Sequence, residues 1–329
     1  MPRIADLFLD CVIYLYPSKH EAEEGIGVGG TGFLVSVPAE KLDGKFVYAV
    51  TNAHIIEAGS SCVRLNTVDG EKDVFVFSPE RWTCSKTDDI AAMVMPALPQ
   101  TYIGRTIPKA NFITEKIVAD NDIGPGDEVI IMGRFINHEG KQKNRPLVRF
   151  GFLSQNPAEP VEYYIRSNKA GKLKPRLHSQ ESFLAEVKSI GGFSGSPVFL
   201  APSSLGGRTG RPDFQDPNRT YLVGIDWGHI NDDEPVRDST GEPLDNGHHV
   251  TANTGMMGIV PAWKLIDLLM EPEMVEHRRK EEEKEIEKRK APKAVGDTAV
   301  QKVSPTSDSN PAHKEDFTAL LDEAAQKQK

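Results

Sequence analysis

The chain has 329 residues, 38% of them hydrophobic and 26% charged, a balance that suits a soluble globular protein with room for two domains of ordinary size. Its formal net charge of −9 argues against a generic nucleic-acid or anionic-membrane surface. Three cysteines, Cys11, Cys62 and Cys84, make neither a disulfide framework nor a zinc-ligand spacing, so a reducing, cytoplasmic setting is the simplest expectation.

The N-terminal stretch MPRIADLFLDCVIYLYPSKH is interrupted by Asp10, whereas a signal peptide needs an unbroken apolar core. CVIYLYP (11–17) therefore reads as a first β-strand, and nothing approaches the ~20 apolar residues of a membrane span. Short β-prone runs follow between turn signals: TGFLVSVP (31–38), FVYAVTNAHII (46–56), DVFVFSP (73–79), IAAMVMP (90–96) and DEVIIMG (127–133). Later come LVRFGFLS (147–154), SFLAEVKS (182–189), SPVFLAP (196–202), TYLVGIDWG (220–228) and MMGIVPA (256–262). About eleven short strands with no long amphipathic helix between them predict an all-β sandwich or barrel fold. That is more strand than one small barrel uses, so two are expected, with a seam in the proline-bearing, polar stretch 97–125. PAWKLIDLLM (261–270) places Trp263, Ile266, Leu269 and Met270 at helical spacing, and a helix should close the globule.

After Pro272 the texture changes. HRRKEEEKEIEKRKAPK (277–293) is a mixed-charge run expected to be a solvated helix or disordered, and 295–314 reads as a flexible linker. EDFTALLDEAAQ (315–326) sets Phe317, Leu320, Leu321 and Ala324 on one helical face, which could dock on a protein partner or on its own globule.

The segment GGFSGSPVF (191–199) is costly in any regular element, since each Gly loses about 0.5–1 kcal/mol against Ala there. Such a segment belongs where backbone must turn tightly or approach another group, and this one holds Ser194 at its tip. A serine hydroxyl is a poor nucleophile at neutral pH; it needs a general base, and the base needs an orienting partner. Among nine histidines, His54 stands apart, after the strand-like FVYAVTNA and before Ile55-Ile56. The candidate carboxylate is Asp89 in TDDIAAMVM, where Asp-Ile-Ala opens an apolar strand. Taken singly, such a histidine is commonly structural or exposed, and such an Asp is commonly a turn residue.

In chain order the motifs are GTGFLV (30–35), TNAHII (51–56), DIAAMV (89–94) and GFSGSPV (192–198). The series resembles the chymotrypsin-fold serine peptidases, most closely the bacterial trypsin-like branch that includes the high-temperature-requirement proteases. GPGDEVIIMG (124–133), the GFLS strand (151–154) and GIVPA (258–262) extend the likeness over roughly residues 10–270. The resemblance implies two six-stranded antiparallel barrels: residues 1–115 with His and Asp, 116–272 with Ser and the specificity pocket, then a charged tail, 273–329. It implies a serine endopeptidase acting on protein or peptide, without cofactor or metal. Ser194 would attack the scissile carbonyl, His54 would take and return its proton, and Asp89 rather than Asp88 would hold the His54 tautomer. The N–H groups of Gly192 and Ser194 would form the oxyanion hole. Asp226, Trp227 and Gly228 would line the pocket entrance, kept open by Gly228 and Gly258. Lys188 falls near the pocket floor, where it would favour acidic side chains, or else points to solvent.

Three departures matter. Phe193 stands where trypsin-like zymogens keep an Asp that binds a newly cut amino terminus, and a phenyl ring cannot pair with an ammonium ion. The oxyanion loop is therefore expected to form without processing, or to be ordered by a partner or substrate. Ile55 stands where secreted members carry a disulfide cysteine. Ser196 replaces a common glycine and should be tolerated. No PDZ-like pattern follows residue 270, so trimer assembly and periplasmic quality control are not carried over. His229 and His248-His249 lie in a polar loop and are not read as a metal site. The competing class is a catalytically silent relative that binds peptides through the cleft. An α/β-hydrolase is disfavoured, because its G-x-S-x-G elbow is absent and its His would follow the Ser.

Overall fold

Runs rich in Val, Ile, Tyr and Phe pair into two β-layers, as their pleat-filling side chains favour. The computed structural model describes residues 4, 6–27, 29–138, 140–169, 172–201, 220–244 and 249–290. Strands β1 (Val12–Tyr16), β2 (Gly30–Pro38), β3 (Lys45–Thr51), β4 (Cys62–Asn66), β5 (Lys72–Phe75), β6 (Thr83–Cys84), β7 (Ala91–Val94) and β8 (Ile107–Pro108) form the first sheet. Its order is β5-β4-β1-β2-β3-β7-β6, and β8 lies parallel against β2.

The second layer is a closed barrel. It contains β9 (Glu128–Gly133) and β10 (Leu147–Gln155), and, after a separate hairpin of β11 (Val161–Lys169) and β12 (Lys172–Gln180), β13 (Phe183–Glu186), β14 (Pro197–Leu200), β15 (Leu222–Pro235) and β16 (His249–Pro261). Six strands close in the order β10-β13-β16-β15-β14-β9. The expected pair of closed barrels thus needs correcting in its first half: no hydrogen-bonded ladder joins β5 to β6. Both end strands are short, and β5 is only half-buried, so the seam lacks the length of apolar strand that would close it. The sheet nonetheless curls around a core of its own, made by Ile13, Leu34, Ala49, Val63, Phe77, Trp82 and Met93 among others.

β1 shows why its sequence is apolar throughout. Ile13 and Leu15 face that inner core, while Val12, Tyr14 and Tyr16 face the larger core shared with the barrel. A strand buried on both faces loses the polar alternation of a surface strand. The shared core carries two fully buried guanidinium groups, Arg64 and Arg134, lying 4.9 and 4.2 Å from the Tyr16 ring centre. Arg134 follows β9 and donates to the carbonyls of Leu15 and Gly27, which pins the end of a barrel strand to the first sheet.

The charged run beyond Pro272 takes the helical of its two expected forms, with one face buried rather than solvated. Pro272–Lys290 is one helix, started by Pro and by Glu273 in its first turn and laced by Glu276–Lys280 and Arg279–Glu283 pairs. Met274, Arg278 and Glu282, spaced at i, i+4 and i+8, are buried. Arg278 donates to the Tyr48 hydroxyl (2.8 Å), and Glu282 accepts the backbone N–H groups of Glu40 and Lys41 (2.6 and 3.1 Å). Periodicity missed this face because its contacts are polar. Glu282→Ala strips two N–H groups of a charged acceptor, and should cost about 1.5–3 kcal/mol. Calorimetry should show a lowered Tm, with activity at low temperature retained. The 315–326 helix expected in the tail lies outside the described residues.

Candidate active site

His54 sits in the short helix Ala53–Glu57, entered through Asn52 at the end of β3. The flanking Ile55 and Ile56 bury into the first-sheet core, which turns the imidazole outward with 32% of its side chain exposed. Asp89, separated from β7 by Ile90, is buried and meets His54 twice. His54 Nδ1 lies 2.6 Å from one carboxylate oxygen, and the His54 backbone N–H donates to the other at 3.0 Å. An ionised carboxylate only accepts, so Nδ1 carries the ring proton and Nε2 is left as the basic nitrogen.

Asp89 is itself clamped. Asn52 Nδ2 donates to its carbonyl, and its N–H donates to Gln180 Oε1, at 2.9 and 2.8 Å. Gln180 Nε2 in turn donates to Asp88, so one buried glutamine from the end of β12 sorts the two adjacent carboxylates. Burial opposes charging of the His54 ring, but the Asp89 charge and hydrogen bond, helped by Asp226 and Glu57, outweigh it and raise the pKa above the ordinary imidazole value.

Ser194 is half-buried on the turn before β14. Two residues of that turn have backbone only glycine adopts easily, Gly192 at φ 95° and Gly195 at φ 85°. A methyl group on Gly195 would lie 2.0 Å from the Thr31 carbonyl oxygen and 2.4 Å from Thr51 Oγ1, so the turn is pressed against the first sheet beside the strand leading to His54. The Thr31 N–H donates to the Ser194 carbonyl at 2.9 Å, and Gly195 donates to the Asp226 carbonyl at 2.8 Å. The turn is thus held between β2 on one side and β15 on the other. Phe193 is fully buried in the shared core with the Arg149 guanidinium over its ring, and burying such a ring stabilises by roughly 1.5–3 kcal/mol. Phe193 N–H donates to the Ile190 carbonyl, whereas the N–H groups of Gly192 and Ser194 donate to nothing among the described residues. The Ser194 hydroxyl also makes no hydrogen bond among them.

No protein-family model and no curated protein matches the sequence. Among the solved structures it is similar to, three come from two proteases. The Rv3671c protease of M. tuberculosis in its active form aligns with TM-score 0.43 and 15% identity, over 80% of this chain and 80% of that one. An inactive mutant form of Rv3671c from M. tuberculosis H37Rv aligns at 0.40 and 15%, over 81% and 88%. A mutant of the Tobacco Etch Virus protease aligns at 0.35 and 12%, over 83% of each. The chemistry of this chain rests on its own residues.

In the pocket region Lys188 takes the solvent-facing of its two expected positions, and Gly258 departs from expectation. Lys188 is exposed, with its carbonyl accepting from Arg149, while Val187 and Ser189 on either side are buried. Strand-like alternation therefore turns Ser189, not Lys188, inward. The space over Gly258 is also filled. A bulge between Asp226 and Gly228 swings the Trp227 indole inward, 2.0 Å from where a Gly258 Cβ would be, and Trp227 Nε1 donates to Ser182 Oγ at 2.8 Å. Gly228, at φ 150°, does face open space. Asp226 is fully buried, accepts from Ser189 Oγ and the Gly228 N–H at 2.8 Å each, and has its carboxyl pushed up to about 6 by burial.

Asp226 and Asp89 both place negative charge on His54, so removing the first should make the imidazolium less stable. Asp226→Asn is expected to move the acid limb of the kcat/KM profile to lower pH, read in a pH–rate series with a small ester. Sequence reasoning missed Gln180, Ser189 and Thr31, whose neighbours are distant in sequence; only the Thr in GTGF carried any signal. Among the described residues, no cluster of His, Cys, Asp or Glu could hold a metal, and no helix is long and apolar enough to cross a membrane.

Proposed function

We propose that this chain is a serine endopeptidase in which Ser194 is the nucleophile, His54 the general base and then acid, and Asp89 the group that orients His54. The observation that carries the reading is the His54–Asp89 pair beside a glycine-framed serine turn that leaves two N–H groups unspent. Ser194 Oγ attacks the peptide carbonyl and gives its proton to His54 Nε2. The oxyanion takes hydrogen bonds from Gly192 and Ser194 N–H, where preorganised donors cost no reorganisation. His54 returns the proton to the departing amine, and water then repeats the sequence to release the acyl group.

The buried Phe193 supports a turn that forms without a cut amino terminus. The open Gly228 side supports entry of a peptide along β15. The missing Ser194–His54 hydrogen bond gives the peptide-binding alternative its one argument, although such bonds commonly tighten only when substrate arrives. A fluorophosphonate probe decides between them. Mass mapping of the adduct to Ser194, lost on prior heat denaturation, supports the peptidase; an unlabelled native protein supports the binder.

A further inference from the structure

Thr31 lies on β2 and is not one of the groups the mechanism uses, yet it is fully buried and bonds twice to the nucleophile turn. Its backbone N–H donates to the Ser194 carbonyl at 2.9 Å. Its carbonyl accepts from Thr51 Oγ1 at 2.7 Å and sets the close approach that excludes a side chain at Gly195. Its hydroxyl donates to the Gly192 carbonyl at 2.7 Å and accepts the Arg134 N–H at 2.8 Å. The direction of that last relay follows from chemistry. A backbone N–H can only donate, so Arg134 occupies a lone pair of Thr31 Oγ1 and the hydroxyl proton points to Gly192.

The peptide plane between Gly192 and Phe193 is consequently tied at both ends, its carbonyl to Thr31 and its N–H to Ile190. That plane lies between the two unspent N–H groups, of Gly192 and Ser194. Any change in ψ of Gly192 that φ of Phe193 does not cancel turns one donor relative to the other, and a plane fixed at both ends resists such a change.

We infer that Thr31 is a positioning residue whose side chain, relaying from Arg134 to Gly192, holds the two oxyanion donors in their working direction. The inference deepens the peptidase reading and rests on it for its kinetic consequence, but the geometry of the turn can be read independently. Arg134 is also pinned to Leu15 and Gly27. The relay therefore makes the donors sensitive to how the barrel strand β9 seats on the first sheet.

The experiment compares wild type, Thr31→Val, Thr31→Ala and Thr31→Ser in the full chain. All keep the backbone bond to Ser194; only Ser keeps the hydroxyl. Hydrogen exchange of 188–196 is followed by mass spectrometry alongside ester hydrolysis and Tm. The expected result is faster exchange in 188–196 for Val and Ala, restored by Ser. The kcat should fall about 10- to 100-fold in Val and Ala with KM little changed, short of the 10²–10³ lost with a whole donor. A uniform fall in Tm with unchanged exchange in 188–196, or equal kcat in Val and Ser, overturns the relay while leaving the peptidase intact. If wild type hydrolyses nothing and takes no fluorophosphonate, the peptidase reading falls. Exchange then still decides the relay: faster in Val and restored in Ser supports it, and no difference overturns it.

Discussion

Ser194→Ala is expected to lower kcat about 10⁶-fold with substrate still bound, the scale found when a serine nucleophile is removed from a triad. The alanine fits, because the hydroxyl makes no hydrogen bond among the described residues that the fold would miss. Gly192 and Gly195 keep their turn, and Phe193 stays in the core. Tm should therefore be unchanged and fluorophosphonate labelling absent. What survives is the contribution of the oxyanion donors and of binding, about 10³–10⁴ over water. A peptide bound by Ser194→Ala but not turned over would also give the cleanest source of natural substrates. Equal hydrolysis by wild type and variant would remove Ser194 from the chemistry.

Asp89→Asn should cost about 10⁴ in kcat by a different route. The carboxylate makes two bonds to His54, one to the backbone N–H and one to Nδ1. An asparagine can keep the first only with its oxygen, which presents its NH₂ to the ring. Nδ1 must then accept, the ring proton moves to Nε2, and the nitrogen proposed to take the serine proton has no lone pair to offer. The variant also loses the largest influence that raises the His54 pKa, so its acid limb should fall to lower pH. Hydrolysis should recover at high pH, where hydroxide competes with the base. A variant within tenfold of wild type at neutral pH would show that His54 is oriented by something else.

The candidate site was legible in the sequence where a local pattern carries it. Glycines frame Ser194 because the turn needs φ values that other residues avoid, and Asp89 precedes an apolar strand because it must be buried at a strand end. The strands were legible for the same reason, since pleat and burial act on neighbouring residues. What could not be read depends on partners far along the chain. Gln180 sits in a polar stretch without periodic signal, and its value comes entirely from lying against Asp88 and Asp89. One extra residue at Trp227 reverses which side of β15 faces in, and no pattern announces a bulge. The inward turn of Ser189 instead of Lys188 is the same kind of one-residue slip. Whether the first sheet closes depends on two short end strands, below the length at which alternation can be judged.

The helix Pro272–Lys290 leaves the barrel after β16 and returns to clasp Tyr48 and the 39–41 loop of the opposite layer. The polypeptide thus fastens its own layers together, as a buckle does. Any event that unhooks Arg278 or Glu282, whether a nick near Glu271 or a competitor for that helix face, would loosen the two layers and lower the temperature at which they come apart. The carboxyl-terminal segment would in that way set how long the fold endures heat.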